Sequence, residues 1–420
     1  MDAENSVTRD GPANKPGAPW LGQEANAGHG RQPVVLQVLP SLVTGGAERG
    51  CIDVAVALQQ AGGTPIVASS GGPMTRELDR NGIRHITLPL DTKNFFSMRR
   101  NARRLEAIIR EFGVDIIHAR SRAPAWSAMW AADRCGIRFV TTFHAPYNFK
   151  NALKRKYNSV MAMGDRVIAV SDFIREHILA NYEVHPHTVR VIHRGIDRAL
   201  FAPERVTATR MIQLAKQWRL PEDKPIIMLP GRLTRWKGQT VMIDALAKLG
   251  RSDVRCLLVG ADQGRTGYRA ELEARIARLG LSGVVHMTDH CNDMAVAYAL
   301  ANVVVSASLE PEAFGRIIVE AQAMGRPTIV TDLGAVRETV VAGETAWVVP
   351  PADADALAQA LAEALDMTDE QRRHLAERAM AHVTESFTKE RMCADTLAVY
   401  DEVLSAARHA GAQSLPKASR

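Results

Sequence analysis

The chain has 420 residues, 46% of them hydrophobic and 5% aromatic, with five cysteines and a net charge of +6. That length allows two or three domains with sizeable cores, and so aliphatic a composition suits an α/β protein better than a β-sandwich. No apolar run reaches membrane-span length, and five scattered cysteines without a Cys-x-x-Cys pair argue against a secreted disulfide scaffold and read as reduced, cytosolic thiols.

Residues 1–32 are rich in Gly, Pro, Asn and Ala, lack periodicity, and predict a disordered tail without the basic-then-apolar plan of a signal peptide. From Pro33 the pattern alternates. Apolar runs at 34–39, 65–69, 85–90, 115–119 and 138–144 read as buried parallel strands, and 167–171 and 189–193 extend the series. Helix-periodic stretches separate them at 47–61, 75–81, 99–112 and 123–135. A second series follows the Pro221-Glu222-Asp223 turn, with strands at 225–231, 255–261, 284–288, 302–308, 327–332 and 345–351. Its helices fall at 240–249, 269–279, 293–301, 316–324 and 353–364, and a last amphipathic helix covers 389–408. Strand–helix alternation on this scale predicts two Rossmann-like, doubly wound parallel-sheet domains facing a cleft. The expected division is a tail at 1–32, a first domain at 33–205, a second domain at 206–385, a terminal helix at 386–410 that can pack on either domain, and a tail at 411–420.

The positive charge belongs to the first half. Residues 33–200 hold 23 Lys/Arg against 14 Asp/Glu, a net of +9, whereas residues 201–420 hold 26 against 28. An anionic partner is therefore expected on the first domain.

Three segments carry chemistry. In "PSLVTGGAERG" the pair Gly45-Gly46 lies at a strand-to-helix turn, where backbone N–H groups can approach an anion; alone, it is no more than a tight turn. In "PGRLTRWKGQT" Arg232 and Lys237 sit at a strand's carboxyl end, where a guanidinium and an ammonium suit a diphosphate. In "EPEAFGRIIVEAQAMGRP" the turn Phe314-Gly315 opens a helix whose first N–H groups, at Gly315, Arg316 and Ile317, face the same cleft. Glu312 precedes that helix and can accept from sugar hydroxyls, while Glu320 lies two turns inside and suits a vicinal diol.

This set, with His144 at the end of "RFVTTFH", resembles the retaining family 4 glycosyltransferases of GT-B fold over about residues 34–405. The Glu312…Glu320 spacing is the specific part. The resemblance implies that Arg232 and Lys237 bind the donor diphosphate above the Gly45-Gly46 loop, Glu320 the ribose, and Glu312 the transferred sugar, with His144 beside that sugar. It implies hexose transfer from a UDP- or GDP-sugar with no metal and no other cofactor. Two departures, Arg194 for the usual Asn and Ala346 for a common Gly, are expected to lie away from the donor-phosphate residues.

Other motifs have blander explanations. Asp353-Ala354-Asp355 follows two prolines and reads as a helix N-cap rather than a metal-nucleotide motif. His286, Asp289, His290 and Cys291 lack a ligand spacing, and His185-Pro186-His187 reads as a loop. The basic, aromatic-interleaved stretches 93–104 and 147–157 suit an anionic membrane surface, and no nucleic-acid-binding motif is present. Together with the overall likeness to bacterial enzymes of lipopolysaccharide core and surface glycans, they predict an anionic glycolipid or glycan acceptor at the inner face of the cytoplasmic membrane. A sugar-nucleotide epimerase of the same fold and a two-lobed sugar-binding protein are the alternatives.

Overall fold

The computed structural model describes residues 32–43 and 45–413, with side chains to residue 406. The tails expected at 1–32 and 411–420 fall almost wholly outside the described residues.

Seven strands build the first sheet: β1 (Val34–Val38), β2 (Thr64–Ser69), β3 (Arg84–Thr87), β4 (Ile116–Ala119), β5 (Arg138–Phe143), β6 (Arg166–Ala169) and β7 (Val189–Val191). All pairings are parallel, in the order β3-β2-β1-β4-β5-β6-β7. Between them run α1 (Gly46–Gln60), α2 (Thr75–Arg80), α3 (Phe95–Phe112), α4 (Arg122–Cys135), α5 (Ala152–Ser159) and α6 (Asp172–Asn181). The second sheet comprises β8 (Ile226–Pro230), β9 (Arg255–Val259), β10 (Val285–Thr288), β11 (Val303–Ser306), β12 (Thr328–Thr331) and β13 (Trp347–Val349). Its order is β10-β9-β8-β11-β12-β13, again parallel. The accompanying helices are α7 (Ala208–Gln217), α8 (Gln239–Leu249), α9 (Thr266–Arg278), α10 (Met294–Leu300), α11 (Arg316–Ala323), α12 (Val336–Thr339), α13 (Ala354–Leu365), α14 (Asp369–Ser386) and α15 (Lys389–Gln413).

Central strands are buried from end to end, as in β1 and β8, because helices cover both faces of each sheet. In each sheet the strand order reverses beside the first strand, between β1 and β4 and between β8 and β11. Crevices at such reversals, beyond the carboxyl ends of the strands, are where open α/β sheets bind ligands.

Several helices differ from the sequence reading. Helix α3 begins a turn before Arg99, because the Asn94 side chain accepts from the Ser97 N–H at 3.1 Å and caps it at Phe95. Helices α5, α6, α7 and α14 were not expected; α14 starts with a reciprocal cap in which Thr368 and Gln371 each bond the other's backbone N–H.

The chain leaves the second domain through α14, then crosses back. Met392, Cys393, Leu397, Tyr400 and Val403 of α15 pack in one cluster with Val35, Val54, Ile116, Val140 and Ile168 of the first domain. Each such buried side chain contributes about 1.5–3 kcal/mol. His118, buried in β4, is held between the Tyr400 and Thr142 hydroxyls, each at 2.7 Å. Glu402 pairs with both Arg166 and Arg190.

Candidate active site

A cleft of about 390 Å³ opens between the two sheets. Two helix N-termini face it. Gly45 (φ 141°) precedes α1 and Gly315 (φ 84°) precedes α11, and neither helix has a side-chain cap. Both glycines occupy conformations that other residues rarely adopt, and as N-caps they carry no side chain to bond the first N–H groups of their helices. Two uncapped N-termini present partial positive charge to the cleft.

Of the residues named from the sequence, Gly46, His144, Lys237, Glu312, Phe314, Gly315, Arg316 and Ile317 line this cleft. Lys237 and Glu312 come together as an ion pair, and Glu312 also accepts from the Ser308 hydroxyl at 2.7 Å. Two glycines hold that pair. Gly238 (φ 71°) follows Lys237, and a Cβ there would collide with the Ala307 carbonyl oxygen. Gly334 (φ 68°) packs against the Glu312 backbone, with the Ala335 N–H donating to the Glu312 carbonyl at 3.0 Å.

Glu320 lies behind the cleft lining. One carboxylate oxygen accepts from the Tyr298 hydroxyl at 3.0 Å, and the other lies 3.1 Å from the Arg316 guanidinium. Burial raises the Glu320 carboxyl above its ordinary range, against the pull of Arg316 and Tyr298. Arg232 also falls outside the lining; it is exposed and forms no ion pair among the described residues.

His144 lies one residue past the end of β5, which stops at Phe143, with an Nε2 that is buried and without a partner among the described residues. Burial, then the charges of Arg194 and Arg120, hold its imidazole well below the usual histidine range, so the ring is neutral at pH 7.

Arg194 corrects the sequence reading. Expected away from the phosphate-binding residues, it lines the cleft, is 7% exposed and donates to the Gly46 carbonyl. Burial, then Arg316 and Arg120, push its guanidinium down to about 9, still charged at neutral pH. The signal in the sequence was Gly50, one turn into α1: a Cβ there would lie 2.6 Å from an Arg194 nitrogen. Gly46 has the same function for Arg316, whose Cδ would lie 3.2 Å from a Cβ. Glu48 was also missed; it lines the cleft, and burial raises its carboxyl.

The domains are fastened beside the cleft. Ser171 donates to the Ala313 carbonyl at 2.7 Å. Glu338 of α12 accepts from the Asp172 and Phe173 N–H groups at 2.7 and 2.8 Å, capping α6 of the opposite domain, and bonds His193 at 2.9 Å. Burial acts to raise the Glu338 carboxyl, but these hydrogen bonds outweigh it and hold the group below its ordinary range. Asp172, His193 and Glu338 also form the one grouping among the described residues with metal-ligand spacing.

The remaining motifs are structural. Asp353 caps α13, accepting from the Asp355 and Ala356 N–H groups at 3.0 and 2.9 Å. Asp289 pairs with Arg269, and the His185 and His187 rings stack on one another.

Comparison with known proteins assigns both halves. A Glycosyltransferase Family 4 model matches residues 44–200, and a model for glycosyl transferases group 1 matches residues 210–382. The chain is similar to a glycosyltransferase from Rickettsia africae ESF-5 of known structure, at 38% identity and a TM-score of 0.83 over 89% of this chain and 99% of that one. It resembles the Anabaena protein HepE, solved with UDP and glucose, at 22% identity and a TM-score of 0.77 over 87% and 99% of the respective chains. A D-inositol 3-phosphate glycosyltransferase of Jonesia denitrificans is 28% identical over 72% of this chain and 75% of its own length.

Proposed function

The chain belongs to the family 4 glycosyltransferases of GT-B fold, and on that basis we propose that it transfers a hexose, with retention, from a nucleoside-diphosphate sugar to an anionic glycolipid or glycan. One observation carries the donor half of this reading. Lys237, Arg194 and Arg316 converge on a cleft into which two uncapped helices also point. Glu48 and Glu312 share that lining, which leaves one cation in excess beside the two helix N-termini, and a diphosphate supplies the complementary charge. The UDP and glucose bound by the Anabaena protein agree with that donor class.

Transfer breaks the bond from the anomeric carbon to the β-phosphate oxygen, and a bond to the acceptor oxygen forms on the same face. The acceptor proton passes to the leaving phosphate. Charge growing on the diphosphate is stabilised by fixed cations and helix N–H groups, so this chemistry requires no metal. Arg232, exposed at the end of β8, is assigned to the outer phosphate, Glu320 to the ribose, and Glu312 and the neutral His144 to the transferred sugar. Each ring hydroxyl can donate to Glu312 or to the unpartnered His144 Nε2.

The acceptor is assigned to the first domain from its charge, and the work is placed at the inner membrane face in lipopolysaccharide-core or surface-glycan assembly. None of the described helices is long and apolar enough to cross a membrane. Arg99 stacks its guanidinium on Phe95 at 4.8 Å, at the exposed start of α3. Replacing Arg99, Arg100, Arg103 and Arg104 with Ser should abolish pelleting with anionic vesicles at low salt. Unaltered pelleting would return the cluster to a solvated helix face.

The reaction itself is tested by incubating the protein with a panel of UDP- and GDP-hexoses, with and without EDTA. Transfer that EDTA leaves intact is the expected result. Isomerisation of the donor would instead identify an epimerase, and binding without turnover a sugar-binding protein.

A further inference from the structure

The fastening between the domains holds three metal-ligating side chains that sugar transfer does not use. Asp172 opens the 10-residue α6, His193 lies two residues past β7, and Glu338 comes from α12 of the second domain. Their ligand atoms all lie within 4.8 Å of one another, and the His193 Nε2 is 2.9 Å from a Glu338 carboxylate oxygen. Two aromatic neighbours fix the His193 ring. Its centre lies 5.9 Å from that of Phe314, and it meets Phe387 edge-on at 5.6 Å.

The Asp172 carboxylate is the odd member. It has no hydrogen bond or ion pair among the described residues, although it stands at a helix N-terminus. The N–H groups there are already taken: those of Asp172 and Phe173 donate to Glu338, and that of Ile174 donates to the Ser171 hydroxyl at 3.1 Å. Two carboxylates thus stand beside one imidazole, with no Lys or Arg paired to either among the described residues. One nitrogen and two oxygens make a ligand set that zinc takes, whereas magnesium and calcium take oxygen alone. Ligand atoms about 2.1 Å from a tetrahedral zinc lie about 3.4 Å apart. The His193–Glu338 separation is already near that, and the exposed Asp172 side chain can close the rest by turning about its own bonds.

We propose that Asp172, His193 and Glu338 bind a zinc ion, completed by water, which ties the first domain to the second beside the cleft. Zinc displaces the hydrogen that the His193 Nε2 shares with Glu338, while the Glu338 carboxylate keeps its bonds to the α6 N–H groups. His193 is not part of the cleft lining and meets it through the Phe314 ring. Zinc here takes no part in sugar transfer, so the site stands or falls apart from the transferase reading.

The test uses the full chain, treated with EDTA and then freed of it, without donor or acceptor. Calorimetry with zinc chloride should show a single bound equivalent. Saturating zinc should raise the melting temperature by a few degrees, because the ion binds only the folded arrangement. Asp172→Asn and His193→Gln should each weaken zinc binding more than about tenfold. Both should melt like the unaltered protein before zinc is added: the Asp172 carboxylate has no bond to lose, and a glutamine at 193 can still donate to Glu338. His185→Gln, in the exposed pair of stacked histidines, should bind zinc as the unaltered protein does. Magnesium chloride should leave the melting temperature where it was. Zinc binding that survives Asp172→Asn or His193→Gln, or that is lost with His185→Gln, would overturn the site, as would an equal rise in melting temperature with magnesium.

Discussion

The two walls of the cleft are built to different plans. On the second domain, Glu312 bonds Lys237 and Ser308, Glu320 bonds Arg316 and Tyr298, and close glycine contacts hold the backbone beneath them; of these side chains, only the Arg316 Nε is buried without a partner among the described residues. On the first domain the His144 Nε2 is buried without a partner among the described residues, and so, in a separate cavity of the same domain, is the Tyr157 hydroxyl, beside the exposed Lys93 and Lys154. The second wall is arranged before any ligand arrives, which spares reorganisation when charge develops on a leaving group. The first wall leaves bonds for a ligand to complete. A donor of fixed chemistry suits the former, and an acceptor particular to this enzyme suits the latter.

The sharpest way to break that contrast is at Lys237. Lys237→Ala should cut turnover on the order of 100-fold or more with the fold retained, because the lost charge acts as the diphosphate leaves. Arg232→Ala should do the same; wild-type turnover would remove this exposed residue from the site. Next in size is Gly50→Ala. Its methyl group would displace Arg194 from α1, and turnover should fall about tenfold while circular dichroism is unchanged. Unaffected kinetics would make Arg194 a packing residue.

A smaller effect divides the second wall itself. Glu320→Gln should weaken affinity for the nucleoside diphosphate several-fold, on the order of a lost charged hydrogen bond, and Glu312→Gln should instead slow transfer. Calorimetry with UDP and GDP separates them, and equal losses of nucleotide affinity would dissolve the distinction.

The smallest effect concerns the fastening between the walls. The Glu338 carboxyl is held below its ordinary range, so its contribution to stability is complete above the usual carboxylate range and is lost as pH falls through the lowered value. Glu338→Gln should therefore melt lower at neutral pH and lose less on acidification. Melting curves of both proteins with the same acid slope would show that this group is not the one titrating.

The two-domain plan was legible because parallel strands buried on both faces read as unbroken apolar runs, β8 most plainly. Helix α14 was not, since few of its residues are buried and its start is marked only by Thr368 and Gln371. In the site, Glu312 to Ile317 were legible because one continuous segment delivers them to the cleft. Arg194 was not, because its place depends on a helix some 140 residues earlier in the chain, where Gly46 accepts its hydrogen bond and Gly50 makes room for it. Cation position was legible in part: Lys237 and Arg316, both named from the sequence, line the cleft, whereas Arg232 lies outside the lining and Arg194 joins it.

Helix α15 has a bearing on how the protein is made. The apolar face that it covers belongs to strands and a helix synthesised first, yet Met392 to Val403 leave the ribosome after the whole second domain. At about 5–20 residues per second that interval is roughly 10–40 s, during which Val35, Val54, Ile116, Val140 and Ile168 lack their cover. The first domain thus waits, unfinished, for the end of its own message, and nascent chains stalled before Lys389 should be cut by protease in the first domain where released full-length chains resist.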